Sequence, residues 1–172
     1  TTFNIDSVTV LQRGDIAILA FNTGITTGED EISFVTLVDL LPGTRIDITD
    51  NAYQKCGTPK GWGISEGWIR LERANTVLPK GTIVTVRIDG TGLPSVFSPD
   101  PINWIYSKPQ PASQGTFNLN NNGEQIFFMS GGNVGGPNAT IAASDGGTYT
   151  GNFLFGFNTK GNVWTPVCGN VN

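Results

Sequence analysis

Apolar and polar positions alternate with a two-residue period in several short stretches, and no run repeats at the helical period. Residues 32–41 and 45–49 carry the clearest pattern. In the first, Ile32, Phe34 and Val38 fall on one side and Val35, Leu37 and Leu41 on the other, which predicts a strand in the middle of a β structure. In the second, Ile46 and Ile48 alternate with Arg45, Asp47 and Thr49. Leu41, Pro42, Gly43 and Thr44 between them predict a turn, and hence a central hairpin.

Further strands are predicted over 15–22 (DIAILAFN), 68–75 (WIRLERAN), 82–89, 124–130 (EQIFFMS) and 152–159 (NFLFGFNT). In 82–89, Val84, Val86 and Ile88 form the buried face. Residues 1–11 carry a strand pattern on Ile5, Val8 and Val10, and 163–168 a short last one. The segments 51–67, 90–122 and 131–151 hold too many Gly, Pro and polar residues for regular structure. The longest of them, 90–122, carries Trp104, Ile105 and Tyr106, and a loop of that length in a compact domain is usually functional or partly disordered.

At 172 residues, with 23 Gly and 10 Pro as punctuation, the chain fits one domain over 1–172. The expected fold is an all-β antiparallel β-sandwich, immunoglobulin-like or jelly-roll-like. A net charge of −4 and a pI near 4.6, with Lys and Arg scattered, exclude a nucleic-acid partner. No apolar run reaches transmembrane length, so membrane insertion is not expected. No leader pattern opens at Thr1, so secretion implies one already removed.

The two cysteines, Cys56 and Cys168, lie far apart and outside any metal or redox motif, and the chain has no histidine. A disulfide between them is the preferred reading, about 4–5 kcal/mol on the chain-entropy model, and implies an oxidising, extracellular compartment. The alternative is two free thiols. Asn138 opens an Asn-Ala-Thr glycosylation acceptor. Arg13, Gly14 and Asp15 spell an integrin-binding tripeptide but run straight into a strand, which favours a plain turn.

If consecutive strands alternate in direction, the connections sort to two ends. Loops 23–31, 51–67 and 90–122 and residues 159–163 then share one end. That rim would gather Glu29, Asp30, Glu31, Asp50, Asn51, Tyr53, Trp62, Trp104, Tyr106 and Lys160. Exposed aromatics beside Asp and Asn are what sugar binding uses, since indole rings take pyranose C–H faces and carboxylate and amide oxygens accept hydroxyl bonds. Asp50, Asn51, Tyr53, Trp62, Trp104 and Tyr106 are therefore the candidate ligand-binding residues, with covering a sheet edge the alternative for Trp62 and anchoring the long loop the alternative for Trp104. Asp47, Asp50, Glu29, Asp30 and Glu31 are weaker candidates for calcium, as no DxDxDG spacing occurs. Without histidine, Ser-His and Cys-His catalysis is excluded. A carboxylate pair drawn from Glu66, Glu72, Asp89 or Glu124 is the remaining enzymatic route.

GDIAILAFNT, EISFVTLVDLLPGTRIDITDN, LPKGTIVTV and NNGEQIFF, spread over residues 14–160, resemble segments of a domain of bacterial extracellular and surface proteins. Their rhythm is similar to that of lamin-tail-type immunoglobulin-like sandwiches. The resemblance rests on core and turn residues, departs in the loop containing Cys56 and in the Pro-rich 90–122 stretch, and carries no catalytic residue. It implies a secreted β-sandwich. The expected function is a secreted or cell-surface, lectin-like or adhesive domain that binds a carbohydrate or an extracellular-matrix or cell-wall component through loops at one end. The alternatives are a structural wall or coat protein without a small ligand, and a glycan-active enzyme using two carboxylates.

Overall fold

The computed structural model describes residues 8–23, 30–54, 61–62, 66–109, 115–119, 123–135 and 148–159. In chain order the strands are β1 (Ile16–Asn22), β2 (Asp30–Thr36), β3 (Arg45–Thr49), β4 (Tyr53–Gln54), β5 (Gly61–Trp62), β6 (Trp68–Arg73) and β7 (Ile83–Ile88). They continue with β8 (Pro94–Ser98), β9 (Trp104–Ser107), β10 (Gln125–Ser130), β11 (Val134–Gly135), β12 (Thr148–Tyr149) and β13 (Asn152–Asn158). A four-stranded sheet, β1-β2-β7-β8, faces a five-stranded sheet, β13-β10-β3-β6-β9. The short pairs β4-β5 and β11-β12 stand apart. The protein is a single all-β sandwich whose pairings, among the described residues, are antiparallel.

The inward faces interdigitate as the period-two pattern requires. Ile32 and Phe34 of β2 and Val84, Val86 and Ile88 of β7 meet Ile46, Ile48, Ile69, Leu71, Ile126 and Phe128 of the opposite sheet in one core. Phe34 touches Phe128 edge-on at 6.0 Å across the interface. The order β13-β10-β3-β6 is analogous to the strand order G-F-C-C′ of variable-type immunoglobulin domains. The four-stranded sheet departs from that plan. The strand beside β2 precedes the outer strand β8 in the chain, whereas in immunoglobulins the outer one comes first.

Several expectations change. The run over 32–53 is not a hairpin: β2 pairs with β1 and β7, and β3 pairs with β10 and β6, so the segment between them crosses from one sheet to the other. It does so because the strand breaks after Thr36 and Leu40 bridges Leu78, which carries the chain across the sandwich edge before Gly43 turns it at φ +84°. Residues 8–12 form no strand, and 1–7 and 163–168 lie outside the described residues. The stretch 90–122 is not one irregular loop. It holds β8, a 3₁₀ turn (Pro101–Asn103) and β9.

Candidate functional site

The outer face of the five-stranded sheet is covered where β3 runs through its middle. Asp47 and Thr49 alternate with the core residues Ile46 and Ile48, so they project to this outer face, yet both are buried. Trp62, Trp68, Phe127 and Met129, with Val134 and Tyr149 against them, form a second apolar cluster there. Their register explains it, since Phe127, Thr49 and Trp68 lie side by side, as do Phe153, Met129, Asp47 and Arg70.

A groove of about 410 Å³ opens on this cluster, lined by Tyr53, Trp62, Phe127, Met129, Tyr149, Gly151 and Phe153. The β4-β5 pair sets Tyr53 opposite Trp62, with ring centroids 4.9 Å apart and edge-on. Trp62 in turn meets Phe127 at 4.7 Å and Trp68 at 5.7 Å. Trp62 is only 7% exposed, whereas Tyr53 is 43% and Phe153 38% exposed, so the two flanking rings offer the accessible faces.

Beneath the groove lies a buried polar network. Arg70 donates Nε to Asp47 Oδ1 at 2.6 Å and a second N–H to Asp47 Oδ2 at 2.9 Å. The Tyr149 hydroxyl donates to Asp47 Oδ2 at 2.7 Å and accepts from the Gly132 N–H. Burial, then the adjacent Asp47 charge, hold the Tyr149 phenol well above its ordinary value, and the hydrogen bonds to Asp47 raise Arg70 further. These groups are consumed by one another, so they fix the Tyr149 ring rather than offer it a partner.

A second depression of about 520 Å³, lined by Gln12, Arg13, Gly151, Asn152 and Phe153, shares Gly151 and Phe153 with the first. The turn before β1 supplies it. There the Asp15 carboxylate accepts the Gln12 N–H at 2.7 Å and closes the turn, while Arg13 Nε donates to the Phe153 carbonyl at 3.4 Å. The Arg-Gly-Asp tripeptide is thus a closed turn with its acid turned back on itself.

Of the residues expected at one rim, Tyr53 and Trp62 do come together. Trp104 does not join them, because it opens β9 at the opposite end of the sheet and faces the core between the sheets. It is 5% exposed, with the Arg73 guanidinium 5.2 Å from its ring centroid. The end was misassigned because 90–122 hides two strands and so visits both ends. Tyr106, on β9, packs against the same core and donates its hydroxyl to the Pro101 carbonyl.

Asp50 and Asn51 are buried clasps. Asp50 accepts the Gly67 and Asn118 N–H groups at 2.8 and 2.7 Å, and burial pushes its carboxyl well above the usual carboxylate range. Asn51 donates to Thr49 Oγ1 and the Gly67 carbonyl and accepts the Glu66 N–H. Neither is presented to a ligand.

The calcium candidates are dispersed. Asp47 is paired with Arg70, and Glu31 with Arg87 at 2.6 Å. Asp30, expected in loop 23–31, is instead buried at the start of β2 and accepts the Leu119 N–H at 2.7 Å. Among the described residues no three His, Cys, Asp or Glu side chains gather in a way that could hold a metal. Glu29, Cys56, Asn138, Lys160 and Cys168 lie outside the described residues, and with them the disulfide and glycosylation expectations.

Phe127, Tyr149 and Phe153 were not singled out from the sequence. A signal existed: EQIFFMS and NFLFGFNT set apolar residues at consecutive positions, which a strand covered on one face does not need. No family model, curated protein or solved structure matches the chain.

Proposed function

We propose that this protein is a lectin-like, glycan-binding domain of the cell exterior that takes a sugar ring into the aromatic groove on the outer face of its five-stranded sheet. The observation that carries this is the groove itself, whose lining is dominated by Tyr53, Trp62, Phe127 and Phe153. Its volume falls within the range of about 300–1,000 Å³ usual for small-molecule sites. Half-open aromatic faces above an apolar floor suit the C–H face of a pyranose, and the adjoining depression supplies amide and guanidinium groups for its hydroxyls. The site in this reading lies on a sheet face, not on a rim of loops. Secretion and the lamin-tail-type kinship belong to the same proposal. A Cys56–Cys168 bridge would accord with secretion, and an intact mass that does not rise on reduction would count against it.

The test is a glycan array, run with and without calcium, followed by titration of any hit against Tyr53→Ala and Phe153→Ala. Loss of about tenfold in affinity, or 1.4 kcal/mol, with an unchanged fold is expected from each. A blank array in both conditions would sink the reading.

A second reading has one specific observation behind it. Burial, then the charge of Glu124, lift the Glu66 carboxyl from 4.5 to about 7, which is how a general acid of a glycan-cleaving carboxylate pair is tuned. Turnover of a polysaccharide that Glu66→Gln abolishes would favour the enzyme over the lectin.

A further inference from the structure

We infer that the sugar held in the groove is acidic, its carboxylate or sulfate oxyanion taken by Arg13 in the adjoining depression. This rests on the glycan-binding reading and specifies its ligand class.

The arginines of this chain are otherwise spoken for. Arg45 pairs with Glu72, Arg70 with Asp47, Arg73 with Asp100 and Arg87 with Glu31, each at 2.6–2.7 Å. Arg13 makes no ion pair among the described residues. Its one hydrogen bond among the described residues is the 3.4 Å donation from Nε to the Phe153 carbonyl, which leaves the terminal N–H groups of an exposed guanidinium beside the groove. In a protein of net charge −4, a cation with no ion pair among the described residues, in the depression that adjoins an aromatic groove, stands out against its surroundings.

The neighbouring groups fit the same ligand. Asn152 Nδ2 donates to the Leu11 carbonyl at 3.0 Å, which orients the amide and leaves its oxygen to accept a hydroxyl. Gln12, whose backbone N–H is fixed by Asp15, adds a second amide. Phe153 belongs to both depressions, so a sugar seated against its ring borders the depression that Arg13 lines. A planar guanidinium takes a carboxylate or a sulfate through paired N–H donors, a geometry a neutral hydroxyl cannot use.

The experiment titrates the full chain with a short uronate oligosaccharide, its neutral methyl ester, and a sulfated oligosaccharide of equal length. An anionic form is expected to bind about ten- to a hundredfold more tightly than the ester, the range of a charge-assisted hydrogen bond, with the gap narrowing as salt rises. Arg13→Gln closes the gap and Arg13→Lys restores part of it. Lys108→Gln, which removes a charge at the far edge of the sheet beyond β9, leaves it intact. The uronate and sulfated arms identify which oxyanion is taken. Equal affinity for charged and neutral oligomers, or a preference that survives Arg13→Gln, overturns the inference and leaves glycan binding standing. No binding to any of these ligands or to the array overturns both.

Discussion

Glu66 shows how much one residue's setting can matter. Its folded-state proton is held to about pH 7, while an unperturbed carboxyl releases it near 4.5. Across that window the folded protein binds more protons than the unfolded chain, so stability falls as pH rises through it and levels off above. Asp50, raised by its own burial, adds a fall of the same sign. Glu66→Gln removes the Glu66 share: its melting temperature is expected to match the parent's at pH 4 and exceed it at pH 8, and thermal scans at the two pH values check this. Gly156 is a second such position. A Cβ there would stand 2.6 Å from Phe127 Cδ1, because the Phe127 ring lies over the bare backbone opposite it. Gly156→Ala is expected to cost about 1–3 kcal/mol by overpacking and to drive that ring toward Trp62, read as a change in tryptophan fluorescence. Neither role was legible in the sequence. Glu66 depends on its burial and on Glu124 across the fold, and Gly156 on the ring opposite it, while Asp50 and Asn51, polar residues after a strand that read as a ligand rim, proved to be loop clasps.

At the scale of elements, strand positions were legible: β6 and β7 from alternation and β10 and β13 from dense apolar runs lie close to the predicted segments, and Val84, Val86 and Ile88 are all in the core. Partnership was not legible, because a Pro-Gly turn looks the same whether the chain folds back in one sheet or crosses to the other. The two strands of the opening pattern also exchange roles. β2, read as apolar on both faces, alternates buried and half-buried positions, and Leu37 falls beyond its end and is exposed. β3, read as half polar, is covered on both sides, since Asp47 is sealed under Arg70 and Tyr149. Asp47→Ala strands a mostly buried guanidinium and a phenol hydroxyl at once. A loss of about 3–5 kcal/mol is expected, far above that of a surface ion pair, and chemical denaturation of the variant measures it.

For the whole molecule, the decisive geometry is that Trp62 and Trp104 lie on opposite faces of one sheet. Trp104 fills the space between the sheets under Arg73, whose guanidinium also donates to Thr76, Asn103 and Asp100 and so ties the 3₁₀ turn to the bottom of the sandwich. Trp62 closes the outer cluster and walls the groove. A shared rim predicts that either indole, once removed, weakens ligand binding alike. The observed placement predicts a split. Trp104→Ala loses about 3–5 kcal/mol of stability, as large-to-small changes in a packed core do, while its folded fraction keeps the parent's affinity. Tyr53→Ala, at an exposed position against Trp62, costs about 1 kcal/mol or less in stability but weakens binding. Trp62→Ala does both, since the same ring is core to the second cluster and wall to the groove. Denaturation curves and titrations on these variants separate the outcomes, and a Trp104→Ala protein that is folded yet has lost affinity would return the site to the rim.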